Sequence, residues 1–216
     1  MKHTSPLEAA TETQVRVPTR RTLAKQQTRS KVLAAARRLF SEQGYEGATI
    51  RDIAAAAGMS TGAVFANFSD KSDLFREIMI ADFEALAEAM RDAAGRGRAV
   101  EDALLRVFSA GYGFYQTQLP LARAAFSVSW APEEGHVLRT VPPIRAMLAI
   151  FIEQLTDAVK RGELSQEADV KLRSQMLFDA YLSNYPRAIF EGWSLEALQA
   201  RSRDQIRILL AGARRG

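Results

Sequence analysis

The chain has 216 residues, enough for one large domain or two small ones, with 47% apolar and 25% charged residues, a balance that buries a sizeable core and argues against wholesale disorder. It has no cysteine and two histidines, His3 and His136, so disulfides, thiolate metal sites and cysteine nucleophiles are excluded, and no metal or cofactor is expected. No run approaches the roughly 20 apolar residues of a spanning helix and the first residues lack a signal-peptide core, so a soluble, cytoplasmic chain with no membrane partner is expected. The net charge of +4 is unevenly placed: residues 1–75 hold 11 Lys/Arg against 7 Asp/Glu. No acid lies between Glu12 and Glu42, whereas Arg16, Arg20, Arg21, Lys25, Arg29, Lys31, Arg37 and Arg38 all do. Such a block suits either a polyanion or an ordinary solvated face.

Taken in chain order, residues 1–26 show no apolar period and read as a mobile basic arm. Val32, Leu33, Ala36, Leu39 and Phe40 then form a helical stripe, with Gly44 placed to end it. Thr49 can cap a short helix whose inner face is Ile50, Ile53, Ala54 and Ala57, stopped by Gly58. Ser60 or Thr61 starts another short helix. Asp70, with Asp73 three residues on, caps a longer one that runs to the Gly-Arg-Gly-Arg break at 95–98. Further helices are predicted near 99–117, 120–131, 142–161, 167–190 and 194–212, with Pro186 kinking the fourth near Leu182–Tyr185. No alternating run supports a strand. The expected fold is all-α: a helix-turn-helix unit over 27–70, then a helical bundle over 71–216.

The stretch from Gly44 to Leu74 carries the chemistry. Two short helices joined by Gly58-Met59-Ser60 make a helix-turn-helix, in which Ala54, Ala55, Ala56 and Ala57 permit close helix approach. The second helix can then enter a DNA major groove with its N-terminal residues toward base edges. A helical hairpin inside a bundle is the competing reading of the same pattern. Asn67-Phe68-Ser69 and the Glu133-Glu134-His136 group are weaker signals, read as chance and as a loop. No catalytic grouping and no metal ligand set is found.

The same stretch resembles the TetR family of bacterial transcriptional regulators. Gly44-Tyr45, Ala48-Thr49, Arg51-Asp52-Ile53-Ala54, Gly58-Met59-Ser60, Phe65, Phe68, Lys71 and Leu74 stand in the register of that family's DNA-binding signature. The resemblance spans about residues 28–83; the rest matches in helix pattern only. It implies that Thr49 and Arg51 meet the DNA backbone, and that Ser60, Thr61, Gly62 and Ala63 face bases and phosphate. Lys71 would hold a phosphate together with helix N–H groups. Two positions depart from the pattern. Phe65 stands where tyrosine is frequent and is assigned to packing; Asn67 replaces an aromatic or His and keeps an amide donor.

The resemblance also implies a bundle that encloses a small, largely apolar or aromatic effector. Phe108, Tyr112, Tyr115, Phe126, Trp130, Met147, Phe151, Phe178 and Tyr181 are the candidate lining, although aromatics at helical spacing are usually plain core. A homodimer is implied through the helices at about 167–190 and 194–212. Its apolar faces would carry Leu172, Met176, Leu177, Ala180, Asn184 and Ala188, and Leu195, Leu198, Ile206, Leu209 and Leu210. The function so implied is a ligand-released repressor that binds a palindromic double-stranded operator. A helical protein-interaction module and, more weakly, a small-molecule enzyme are the alternatives.

Overall fold

A computed structural model describes residues 19–129 and 142–213, and over these the chain is helical with no strand. The elements in order are α1 Arg20–Gly47, α2 Ile50–Ala56, α3 Thr61–Phe65, α4 Lys71–Ala94 and α5 Val100–Gln116. Then follow α6 Leu119–Ser129, α7 Pro142–Lys160, α8 Val170–Ser183, α9 Tyr185–Ile189 and α10 Leu195–Leu210. Residues 1–18 of the expected arm, Trp130, Pro132 and the Glu133-Glu134-His136 group lie outside the described residues.

The first helix starts at Arg20, with the Thr19 hydroxyl accepting from the Thr22 N–H, several residues before the boundary expected at 27. Thr19 supplies the capping oxygen that the expected start lacked. Gly44, at φ 76° and ψ 172°, breaks the helix, a conformation that glycine adopts without steric cost. The stripe of α1 is buried as its spacing requires, with Val32, Ala36 and Phe40 at the centre of the first core.

Side-chain oxygens of Thr49, Ser60 and Asp70 accept from Asp52, Ala63 and Asp73 N–H groups and fix the starts of α2, α3 and α4. Between α2 and α3 the Met59 N–H reaches the Ala54 carbonyl (2.9 Å) and the Gly58 N–H that of Ala55 (3.1 Å). With Gly58 at φ 69°, this is a Schellman stop that turns the chain at once into α3. Of the four alanines only Ala54 is buried; Ala57 is half-buried and Ala55 and Ala56 are exposed.

α4 leaves this head and enters the bundle, where it packs on α5 and α7; α5 packs on α10, and α8 lies against both α7 and α10. α6 leans back onto α1. The start of α5 has no side-chain cap of its own, and the Val100 N–H donates instead to the Glu163 carboxylate (2.7 Å) in the turn after α7. The single helix expected over 167–190 is two helices. α8 ends at Ser183 and α9 starts at Tyr185, because Pro186 lacks an N–H for a continuous ladder. Asn184 fills the break. Its amide donates to the Tyr112 hydroxyl (3.0 Å) and to Gln205 (2.8 Å), and its carbonyl accepts from Arg201 (3.0 Å).

Candidate nucleic-acid interface and effector cavity

Thr49, Arg51, Ser60, Thr61 and Gly62 lie together at the exposed starts of α2 and α3, with Ala63 half-buried beside them. Phe65 does not pack, contrary to expectation. It is 55% exposed on α3, while Phe68, three residues on, occupies the core at 2%. Asn67 bonds its own helix, its amide donating to the Ala63 carbonyl (3.0 Å). Lys71 is a strut before it is anything else: its ammonium donates to the Tyr45 carbonyl (2.9 Å) and sits 4.4 Å from the centre of the Tyr45 ring. Glu46 is a further 3.9 Å neighbour. The close of the motif is thereby tied to the end of α1.

The basic block divides into two kinds of cation. Arg29 bridges α1 to the end of the motif, donating to the Asn67 backbone carbonyl (2.6 Å) and to Glu77 on α4 (3.0 Å from Nε), with its guanidinium over the Phe68 ring. Arg37 pairs with the buried carboxylate of Asp82 (3.1 Å from Nη1) and donates to Gln118 (2.9 Å). Arg38 pairs with Glu42 within α1. Arg20, Arg21, Lys25 and Lys31 are exposed and form no ion pair among the described residues. Counting charge had merged the two kinds; Arg38 is separated by a partner one turn away, and Arg29 and Arg37 only by partners distant in sequence. The Arg37–Asp82–Gln118 group also joins α1 to α4 and to the turn before α6, so α4 is not the sole link between head and bundle.

A cavity of about 340 Å³ opens in the bundle beside that link. α4 contributes Phe83 and Leu86, α5 Tyr115, α6 Ala122, Ala125 and Phe126, and α7 Ile144 and Met147. α8 and α9 close it with Asp179, Tyr181, Leu182, Ser183, Tyr185, Pro186 and Ile189. Tyr115, Phe126, Met147 and Tyr181 thus line it, as the aromatic pattern suggested. Phe108, Tyr112, Phe151 and Phe178 do not: they form core behind it. Phe108 meets Phe151 and Tyr181 edge-on with centroids 5.8 and 5.5 Å apart, and Phe178 tilts on Phe151 at 5.9 Å. The cavity lies at the Tyr115 end of α5, about one turn past Tyr112 and two past Phe108, and helical spacing alone gives the face but not the depth. The walls from α4 and α9 were missed, because Leu86 and Ile189 look like any core residue.

Burial raises the phenol pKa values of the four bundle tyrosines. Tyr112 is pushed up to about 12, against the opposing hydrogen bond from Asn184. Tyr181 and Tyr185, hydrogen-bonded to each other, and Tyr115 are raised well beyond the usual range by burial first. All four stay neutral donors. α5 meets α8 at Gly111, where a β-carbon would run into the Tyr181 ring.

The expected dimer faces are also redrawn. Leu177, Asn184, Ala188, Leu198, Ile206 and Leu210 are buried within the protomer, whereas Leu172, Met176 and Ile208 remain exposed at 55%, 44% and 73%. Ala180, Leu195 and Leu209 are half-buried. Among the described residues no helix is long and apolar enough to cross a membrane, and no three His, Asp or Glu side chains gather as metal ligands.

A capped helix-turn-helix head stands on a cavity-bearing helical bundle. The profile of the bacterial regulatory proteins of the tetR family matches residues 32–78, from α1 into α4. The transcriptional repressor AcnR of Corynebacterium glutamicum is 43% identical over 65 residues. That match covers 30% of this chain and 35% of AcnR, so the chain spans about a third of the length of that relative. The transcriptional repressor BepR of Brucella suis is 28% identical over 157 residues, covering 70% of this chain and 75% of BepR. The structure of FadR from Bacillus subtilis in complex with stearoyl-CoA superposes with a TM-score of 0.70 at 20% identity, over 85% of this chain and 98% of FadR. Over residues 32–78 the chain is similar to the TetR family, and beyond them the likeness is one of fold.

Proposed function

We propose that the protein is a ligand-responsive transcriptional repressor that binds a palindromic operator as a homodimer in the cytoplasm and is released by a small, largely apolar effector. The observation that carries this reading is the exposed, capped surface of Thr49, Arg51, Ser60, Thr61 and Gly62. Three helix starts are fixed by side-chain caps, yet the residues at two of them contribute almost nothing to the core. Small side chains let the α3 backbone approach a groove floor closely. Thr49, Arg51 and Ser60 meet phosphates, and Thr61, Gly62 and Ala63 meet base edges and thymine methyls. Phe65 adds an apolar contact from its exposed position, and Asn67 positions α3. Lys71 keeps a donor toward phosphate while bracing α4.

Leu172, Met176 and Ile208 on α8 and α10 support the dimer, since large apolar side chains are rarely left exposed together without a partner. The cavity, of drug-like volume, supports the effector, as does FadR, whose structure holds stearoyl-CoA. Release follows when effector prefers a conformation whose two recognition helices no longer match successive major grooves, about 34–36 Å apart. α4 and the Arg37–Asp82–Gln118 link would transmit it.

Enrichment of duplexes from a random library by the full chain tests the reading. An inverted repeat with half-sites spaced by one or more helical turns is expected. Recovery of no common sequence would refute it.

A further inference from the structure

We infer that the cavity selects an apolar organic cation, held by aromatic faces and the Asp179 carboxylate, and rejects an anion of the same shape. The inference rests on the effector reading above and gives it a ligand class. Asp179 is the one charged residue among the described residues that line the cavity, and it is an acid at the exposed edge of α8. No lysine or arginine is among them. Arg123, the nearest basic residue on α6, is exposed and donates to the Ile189 backbone carbonyl (3.1 Å). Arg187, next to the lining residue Pro186, donates to the Ser183 carbonyl (3.0 Å), and Arg37 is committed to Asp82.

The deep wall carries no charge among the described lining residues. Tyr115 is only 8% exposed, lines the cavity, and its phenol makes no hydrogen bond among the described residues. Phenols bonded inside the protein, such as those of Tyr181 and Tyr185, need no further partner; Tyr115 offers its oxygen to whatever enters. The buried Asp82 carboxylate stands close enough to Tyr115 to raise its pKa, after burial and Tyr181. An anion in this space would meet the Asp179 carboxylate and, among the described lining residues, no lysine or arginine, and a neutral phenol donor such as Tyr115 offsets only part of the loss of its hydration. A cation would meet ring faces, to which it is attracted, and a carboxylate at the opening.

Three probes sharing one tail separate the possibilities: (4-phenylbutyl)trimethylammonium, 4-phenylbutan-1-ol and 4-phenylbutanoate, titrated calorimetrically into the full chain. The cation is expected to bind about ten-fold more tightly than the alcohol, a modest desolvated cation–π and carboxylate effect, and the carboxylate most weakly. Asp179→Asn, at an exposed position, should remove most of the cation's advantage and leave the alcohol unchanged. Carboxylate binding as tight as the cation's, or a cation unaffected by Asp179→Asn, would overturn the ligand class while the alcohol's binding kept the effector cavity. Failure of all three probes to bind would overturn both.

Discussion

The two ends of α4 sit in contrasting surroundings. At its start, Asp70 caps the helix, Lys71 braces it to the Tyr45 carbonyl, and Arg29 clamps the neighbouring turn to Glu77. Phe40, Tyr45 and Phe75 fill the space behind, with centroids 4.9–5.7 Å apart. About three to four turns later the same helix presents Phe83 and Leu86 to an open cavity of about 340 Å³. One helix is therefore pinned where geometry must be kept and left unfilled where a ligand can enter. The head is held by short-range caps and by the Arg29 and Lys71 struts; around the cavity the α4 side chains Phe83 and Leu86 face open space instead. The Arg37–Asp82 pair stands between them and couples a rigid part to a yielding one.

The largest expected effect comes from the head's surface. A β-carbon at Gly62 would make only an ordinary contact, 3.9 Å, with the Ser60 hydroxyl oxygen, so Gly62→Glu should fold normally. A carboxylate there would face the DNA, and operator affinity should fall by about two orders of magnitude, roughly the upper end of one lost base contact. Anisotropy titration with thermal melts alongside separates binding from folding. An unchanged affinity would remove α3 from the interface.

The link between the regions comes next. Arg37→Ala leaves the Asp82 carboxylate, 6% exposed, with no cation, and stability should drop by about 2 kcal/mol in urea unfolding, within the range for an unpaired buried polar group. Gly111→Ala should cost about 1–3 kcal/mol as an overpacked contact with Tyr181. It should also disturb the cavity wall more than the head, which probe titration and DNA titration would report separately. Equal losses in both would show that the two regions are less independent than their packing implies.

Smaller still is the cap of α4. The Asp73 N–H and then the Ser72 hydroxyl hold the Asp70 carboxyl below its usual value of 3.8. A depressed pKa means that the stabilisation is present above the unfolded value and is lost as pH falls through the folded one. Asp70→Ala should therefore lower stability by about 1 kcal/mol at neutral pH, and its difference from the parent chain should vanish in strong acid. A deficit that persists there would assign Asp70 a role other than capping.

The sequence showed the head far better than the bundle, for a physical reason. Thr49, Ser60, Asp70 and Gly58 act on backbone groups two to five residues away, so their chemistry and spacing suffice to place α2, α3 and α4. The fates of Arg29 and Arg37 depend on Glu77 and Asp82, 48 and 45 residues distant, and nothing local distinguishes them from the exposed Lys25. The break at Asn184 was visible in Pro186, but not that Asn184 would turn inward to Tyr112 and Gln205. Cavity walls are the least legible feature. Tyr115 and Phe108 share a helix face, and only the position of α6 and α9 decides that one meets open space and the other meets Phe151.

Competition between an enriched inverted repeat and a scrambled duplex, at near-physiological salt, tests the central claim most directly. If the α2–α3 surface reads sequence, the repeat should bind at least about a thousand-fold more tightly, the lower range of specific over non-specific association. Gly62→Glu should collapse that ratio. A ratio near one, with binding set by salt alone, would mean that the head is a basic surface and not a reader of DNA sequence.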